Sequence, residues 1–325
     1  MTRIVLAYVS LALAACGVFT ISLLTGSVEV GFDGLWNALG GDLQSLAHSV
    51  VFDLRMPRAL TAFAAGGVLA LAGALMQILL RNPLADPFVM GVSGGAAVGA
   101  LTAIALGLSG LGIDAAATVG ALGTTLAVFS IAHGEGGWTP ARLLLTGIVV
   151  AAGASAAVSM LLTLSDETQV RGMLFWLMGD LSFSTRPGPL LAVFAIALAV
   201  IFPFSRQFNI LARGDLPARA LGAPVDALRI GIFFGSSILT AASVTTAGSI
   251  GFVGLVTPHL ARLILGSDHR IVLPASALLG GTLVMIADLC ARTMFAPRQL
   301  PVGALTAIAG VPLFLLLMRR QSGNK

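Results

Sequence analysis

The sequence predicts an all-α membrane protein, a polytopic bundle of about ten transmembrane helices forming one domain over residues 1 to 325. Three observations predict it. Hydrophobic residues fill 57% of the 325 positions and charged residues only 10%, where a soluble domain carries roughly 25% charged residues. The apolar residues fall in long runs, and the mean hydropathy is +0.98. The 39 glycines cluster within those runs, as close helix packing in lipid requires. Eighteen basic and 14 acidic side chains are too few to coat a water-facing surface, and the excess of +4 is scattered singly. That excludes the clustered basic stripe of nucleic-acid binding. Two cysteines, Cys16 and Cys290, supply neither a disulfide framework nor metal-ligand spacing.

A spanning helix needs about 20 mainly apolar residues to cross a hydrocarbon core about 30 Å thick. Such runs fall at about 4 to 25, 57 to 80, 88 to 108, 114 to 132, 141 to 163, 187 to 205, 229 to 247, 250 to 266, 271 to 292 and 302 to 319. The first contains Leu13-Ala14-Ala15-Cys16, which looks like a lipoprotein cleavage site. The apolar run nevertheless continues from Val18 to Leu24 where a polar tether would begin, so it is read as helix one. The second carries Gln77, either an interhelical hydrogen bond or part of a pathway lining. The third to seventh are apolar on every side, as buried or lipid-facing helices are. The eighth is short and contains Pro258 followed by His259, read first as a hydrogen-bonding residue at a helix terminus and second as a ligand. Beside it, Gly248, Gly251 and Gly254 either pack or permit a bend that gates a pathway. In the ninth, Asp288 and Arg292 stand one turn apart and pair near the outer end. Gly73 to Pro83 and Gly248 to Pro258 share a spacing of ten, a weak hint of an inverted repeat.

Cytoplasmic loops retain Lys and Arg. With the N-terminus inside, 12 of the 18 basic residues fall on the inner side: Arg3, Arg81, Arg142, Arg206, Arg213, Arg219, Arg229, Arg262, Arg270, Arg319, Arg320 and Lys325. The outer side holds the other six, Arg55, Arg58, Arg171, Arg186, Arg292 and Arg298. Both termini are therefore expected in the cytoplasm, which ten crossings satisfy.

Three connections are longer than a compact bundle needs. Residues 26 to 56, outside, hold Trp36 and many Gly and Asp residues. Residues 164 to 186, also outside, contain an apolar stretch at about 168 to 182 that is too short to span, and predict a re-entrant or interfacial helix. Residues 206 to 228, inside, combine helix formers with glycine and proline. They predict one or two short helices along the membrane face, a seat for a soluble partner.

No catalytic constellation and no metal-ligand set is found. A phosphate-binding P-loop needs a lysine within its glycine-rich turn, and the chain's only lysine is Lys325. Any ATP-driven step requires a separate polypeptide. A secondary transporter driven by protons or sodium would fit ten helices equally well, but predicts buried acids at mid-membrane, which are scarce here.

Several motifs then carry a resemblance. They include Arg55-Met56-Pro57-Arg58, Gly73-Ala74-Leu75-Met76-Gln77, Arg81 through Pro87, Gly91-Val92-Ser93-Gly94-Gly95 and Trp176 through Ser182. Ala220-Leu221-Gly222, Gly248 through His259 with Arg262, Asp268-His269-Arg270, Ala287-Asp288 and Leu300-Pro301-Val302-Gly303 extend the set. Together they cover about residues 50 to 320 and closely resemble the FecCD-type, BtuC-like permeases of type II ABC importers. That family imports iron-siderophores, haem or cobalamin across the bacterial inner membrane, and a few members carry oxyanions such as molybdate.

The resemblance implies a homodimer with two cytoplasmic ATPase subunits, which use ATP and Mg, and a periplasmic binding protein; this chain itself would bind no cofactor. It implies that Arg55 and Arg58, with Arg292 and Arg298, meet acidic residues of the binding protein. Arginines kept outside against the topological bias suit that steering role. It further implies an ATPase-coupling segment at about 206 to 228 that includes Arg219, Leu221, Gly222, Ala223 and Pro224. The pathway would follow the two-fold axis, lined in part by the fifth and tenth helices. Gln299 departs from the family's common acid, and Thr257 from a common aliphatic residue. Family frequency favours an iron-siderophore cargo, with haem next and cobalamin also open.

Overall fold

The computed structural model describes residues 2–26, 30–31, 34, 36, 40, 45–133, 139–182, 184 and 186–322. Lys325 and most of the Gly- and Asp-rich stretch after Gly26 lie outside the described residues. The helices are α1 (Thr2–Leu24), α2 (Met56–Leu80), α3 (Val92–Ala105), α4 (Leu111–Ala132), α5 (Pro140–Leu164), α6 (Glu167–Met178) and α7 (Gly188–Ile201). They continue as α8 (Ser205–Leu211), α9 (Asp215–Ala220), α10 (Val225–Ala247), α11 (Val253–Leu265), α12 (His269–Thr293) and α13 (Val302–Ser322). Among the described residues there is no strand, and seven helical runs are long and apolar enough to cross a membrane. The shorter apolar stretches Val92–Ala105, Val253–Leu265 and Val302–Leu316 fall where the remaining three spans were expected.

Helix α2 is the axis of the bundle because its small residues admit neighbours on every side. It is buried at nearly every position from Pro57 to Leu79, with α12, α10, α11 and α7 around it. Gly66 meets Gly280 of α12, and Gly73 meets Gly254 of α11, so closely that a Cβ at Gly66 or Gly73 would overlap the facing carbonyl. Backbone contact of this kind replaces the hydrophobic drive that lipid cannot supply. In the most apolar 18-residue stretch of the run ending in α2, 89% of the residues are buried, against 6% for α1 and 11% for α5. Those two helices are left to face lipid or another chain.

Two boundaries differ from the expectation. The helix leading into α2 begins at Leu46, well before position 57, and passes through a π-helical stretch, Ser49–Arg55. Val50, Val51 and Phe52 extend the apolar run, and Pro57 follows at the start of the α-helical part, where a missing N–H costs little. Helices α3 and α11 are shorter than a span, with 14 and 13 residues, or roughly 20 Å each at 1.5 Å per residue.

Irregular backbone precedes both. Before α3, Asp86 Oδ1 accepts from the Phe88 N–H at 2.8 Å, a 3-10 turn spans Pro87–Met90, and Gly91 takes φ +79°. Before α11, the chain runs from Gly248 (φ +68°) to Phe252 (φ +68°). The first turn of α3 meets the second segment at a 3.2 Å contact between the Ser93 and Ser249 hydroxyls. Non-helical backbone is tolerated at membrane depth when protein buries it. The spacing-of-ten hint has no structural counterpart, since Gly73 lies inside a continuous helix and Gly248 caps α10.

Candidate transport pathway and docking faces

Pro258 lies inside α11 and has no N–H, so the Gly254 carbonyl loses its helical donor. The Gln77 side chain of α2 supplies a substitute. Its Nε2 donates to Leu255 O at 3.1 Å and Gly254 O at 3.4 Å, while its Oε1 accepts from Arg262 Nη2. Gln77 therefore makes an interhelical bond. His259 is buried at the same level. Gly248 and Gly254 are close-packing positions: a Cβ would stand 2.8 Å from Gly179 Cα in the first case and 2.8 Å from Leu69 O in the second. Gly251 alone has open space around it. Phe252, in a left-handed conformation that aromatic residues rarely adopt, is pressed against Gly310 of α13.

At the other end of α2, three of the four arginines expected to meet a binding protein converge and are buried. Arg58 Nε donates to Asp288 Oδ1 at 2.7 Å, and Arg292 Nε stands 3.5 Å from Asp288 Oδ2. Arg55 Nη1 donates to the carbonyls of Leu23 and Leu24, and Arg292 Nη2 to that of Ser22. These bonds cap the end of α1, whose last carbonyls lack helical partners. Only Arg298 is exposed. Of the four arginines the resemblance assigns to binding-protein contact, Arg55, Arg58 and Arg292 turn their guanidiniums into the fold. Three arginines around one carboxylate still leave a positive surplus, and Arg58 Nη2 is buried without a hydrogen-bond partner among the described residues.

Sequence reasoning missed the polar chain that continues from this cluster. Arg58 Nη1 donates to Gln299 Oε1 at 3.0 Å, and the Ser182 hydroxyl donates to the same oxygen at 2.6 Å. Asp180, next to the end of α6, accepts from the Ser182 N–H and donates its own N–H to Ala247 O at 3.1 Å. Gln299, seen in the sequence only as a lost charge, is the acceptor that joins these segments. The Trp176 to Ser182 motif was the available signal.

At the C-terminal end of α2, α8 and α9 fall where short helices were expected between 206 and 228. Asp215, at the start of α9, accepts from Arg229 Nη2 of α10 at 2.6 Å and also pairs with Arg81 at the end of α2. Arg219 bonds both oxygens of Asp226 at 2.8 Å. Buried Ala218 and Val225 anchor the segment. Between them Gly222 makes the turn at φ +76°, with open space where a Cβ would stand, followed by half-buried Ala223 and exposed Pro224. Leu216 and Leu221 project outward, 83% and 66% exposed. Among the described residues no group of three or more His, Cys, Asp or Glu side chains is placed to hold a metal.

Comparison with known proteins places this architecture. Residues 11–320 match the FecCD transport family. The hemin transport system permease protein HmuU of Yersinia pestis is 40% identical over 303 residues, covering 91% of this chain and 90% of that protein. The cobalamin import system permease protein BtuC of Halobacterium salinarum is 39% identical over 312 residues, covering 92% and 84%. A solved metal-chelate type ABC transporter in an inward-facing conformation superposes with a TM-score of 0.86 at 33% identity, covering 96% of this chain and 98% of that one. The chain is thus a multi-pass permease subunit and not an enzyme, ATP hydrolysis being the work of a separate subunit. It belongs to the FecCD transport family.

Proposed function

We propose that this chain is the permease of an ATP-driven importer that moves an iron-siderophore from periplasm to cytoplasm, with haem or cobalamin as the alternative cargo. Two copies form the pathway in the bacterial inner membrane, with N- and C-termini in the cytoplasm, and alternate between outward- and inward-open states. Two cytoplasmic ATPase subunits, using ATP and Mg, drive the change, and a periplasmic binding protein delivers the chelate. The permeases for hemin and cobalamin among the relatives support a bulky chelate as the class of cargo.

The observation that carries this reading is the inner hairpin. A segment tied down at Asp215 by Arg81 and Arg229, with Leu216 and Leu221 held out into water, suits a knob that seats in a partner's groove. Gly222, Arg219, Ala223 and Pro224 shape the turn that presents it. On the outer face, Arg298 is the direct contact for an acid of the binding protein, and the Arg55, Arg58 and Arg292 cluster supplies a positive recess behind it. Gln77, Gly248, Gly251, Gly254, Pro258 and His259 form the hinge region, with Gly251 the position free to move.

The test is Leu221→Asp in the reconstituted importer. Uptake should fall at least tenfold with the thermal midpoint of the permease unchanged, because the side chain contributes no internal packing. Normal uptake by this variant would remove the coupling assignment.

A further inference from the structure

A cavity of about 520 Å³ opens at the inner end of the bundle, between the last turn of α2, helix α8 and the junction of α11 with α12. Its volume lies within the range of small-molecule sites, about 300–1,000 Å³. Three arginines line it, Arg81, Arg213 and Arg262, against one carboxylate, Asp268. That carboxylate is already engaged: its Oδ1 accepts from Asn209 Nδ2 at 2.8 Å and from the Arg270 N–H at 3.0 Å.

The arginines are less satisfied. Arg81 shares Asp215 with Arg229, and both burial and the Arg229 charge push its guanidinium below its ordinary value. Arg262 has one hydrogen-bond partner among the described residues, the neutral Gln77 oxygen, and no carboxylate. Arg213 has no side-chain partner among them. Guanidiniums gathered round one cavity, Arg262 half-buried and Arg81 and Arg213 exposed, that outnumber their counter-charges form a ready receptor for a tetrahedral oxyanion, since each presents a fork of N–H donors.

We propose that this pocket binds the phosphate group of an anionic ligand, its nearest source being the headgroup of an inner-leaflet phospholipid. The phosphate would take the free donors of Arg213 and Arg262, while Arg81 adds charge. The lipid source rests on the orientation proposed above, which puts the pocket at the cytoplasmic headgroup level, where basic recesses between helices select anionic lipids. The phosphate chemistry does not depend on that orientation. Occupancy would also brace Arg262 and, through Gln77, the proline-broken turn of α11.

The full chain, purified and stripped of lipid in an uncharged detergent, is titrated with dioleoyl phosphatidylglycerol and read by native mass spectrometry. One phosphatidylglycerol per chain should bind in preference to dioleoyl phosphatidylcholine. Arg213→Glu and Arg262→Gln should each weaken it about tenfold, the scale of one hydrogen bond to a charged group. Arg206→Ala, an exposed arginine of α8 outside the cavity, is the control and should leave binding unchanged. Displacement by inorganic phosphate would assign the site to phosphate itself and make a soluble phosphate ester its occupant; resistance to displacement would assign it to lipid. Equal affinity in wild type and Arg213→Glu, or equal binding of phosphatidylcholine, would overturn the proposal. Because the assay uses the permease alone, its outcome is separate from that of the uptake experiment.

Discussion

Asp288 is 1% exposed and held between two arginines from different helices. Breaking a buried ion pair by removing one member costs more than the pair contributes, because the remaining charge is stranded. Arg58→Ala should therefore lower unfolding stability in detergent by about 3 kcal/mol. Exposed Arg298→Glu should leave stability within about 0.5 kcal/mol of wild type and instead weaken binding-protein association at low salt. Unchanged association would leave Arg298 without a docking role. Asp268 gives a pH-dependent case. The Asn209 hydrogen bond, then the Arg270 N–H, hold its carboxyl below the ordinary value against a smaller opposing effect of burial. A lowered native pKa means that the stabilisation is complete above the unfolded value, near pH 4, and is lost as pH falls through the native one. Asp268→Ala should thus cost about 1 kcal/mol of cap energy at pH 7, a difference that shrinks below pH 4; a difference constant with pH would contradict the cap. At this scale the sequence was informative only over short range. The Asp288 and Arg292 pairing could be read from a one-turn spacing, whereas the shorter bond from Arg58 joins residues 230 positions apart. No single-chain pattern reports such a pair.

Glycine decides which helices can be neighbours. Gly73 abuts the Gly254 backbone, while Gly123 of α4 faces open space. Gly73→Ala should destabilise the fold by about 1–3 kcal/mol through overpacking. Gly123→Ala should be neutral or stabilise by up to about 1 kcal/mol, as helix propensity favours alanine. Thermal midpoints of the two variants in detergent check the contrast, and an equal loss in both would mean that glycine acts through chain flexibility and not through contact. The long spans were legible because a bilayer demands about 20 apolar residues whatever the fold. The π-helical lead-in at Ser49–Arg55 and the shortening of α3 were not. Hydropathy counts an irregular segment buried in protein the same way as a helix, so the run from position 88 did not announce its break, whereas Pro258 and the glycines before it marked the run from 250 as irregular.

At the scale of the whole molecule, the function proposed above gives the chain a pathway and two docking faces, and its sequence carries no nucleotide-binding loop. The 206 to 228 hairpin and the arginine cluster lie at opposite ends of α2, and the polar chain through Gln299 and Ser182 reaches from the cluster toward the Gly248 to Phe252 segment. The existence and placement of the inner segment were legible from its composition, but its anchoring at Asp215 was not, because Arg81 and Asp215 lie 134 positions apart. The most direct measurement is chelate accumulation in proteoliposomes that contain the permease, its ATPase and the binding protein, compared with the permease alone under a proton or sodium gradient. Accumulation against a gradient should require ATP and all three components, with the permease alone idle. Concentrative uptake by the permease alone, powered by the ion gradient, would contradict the account.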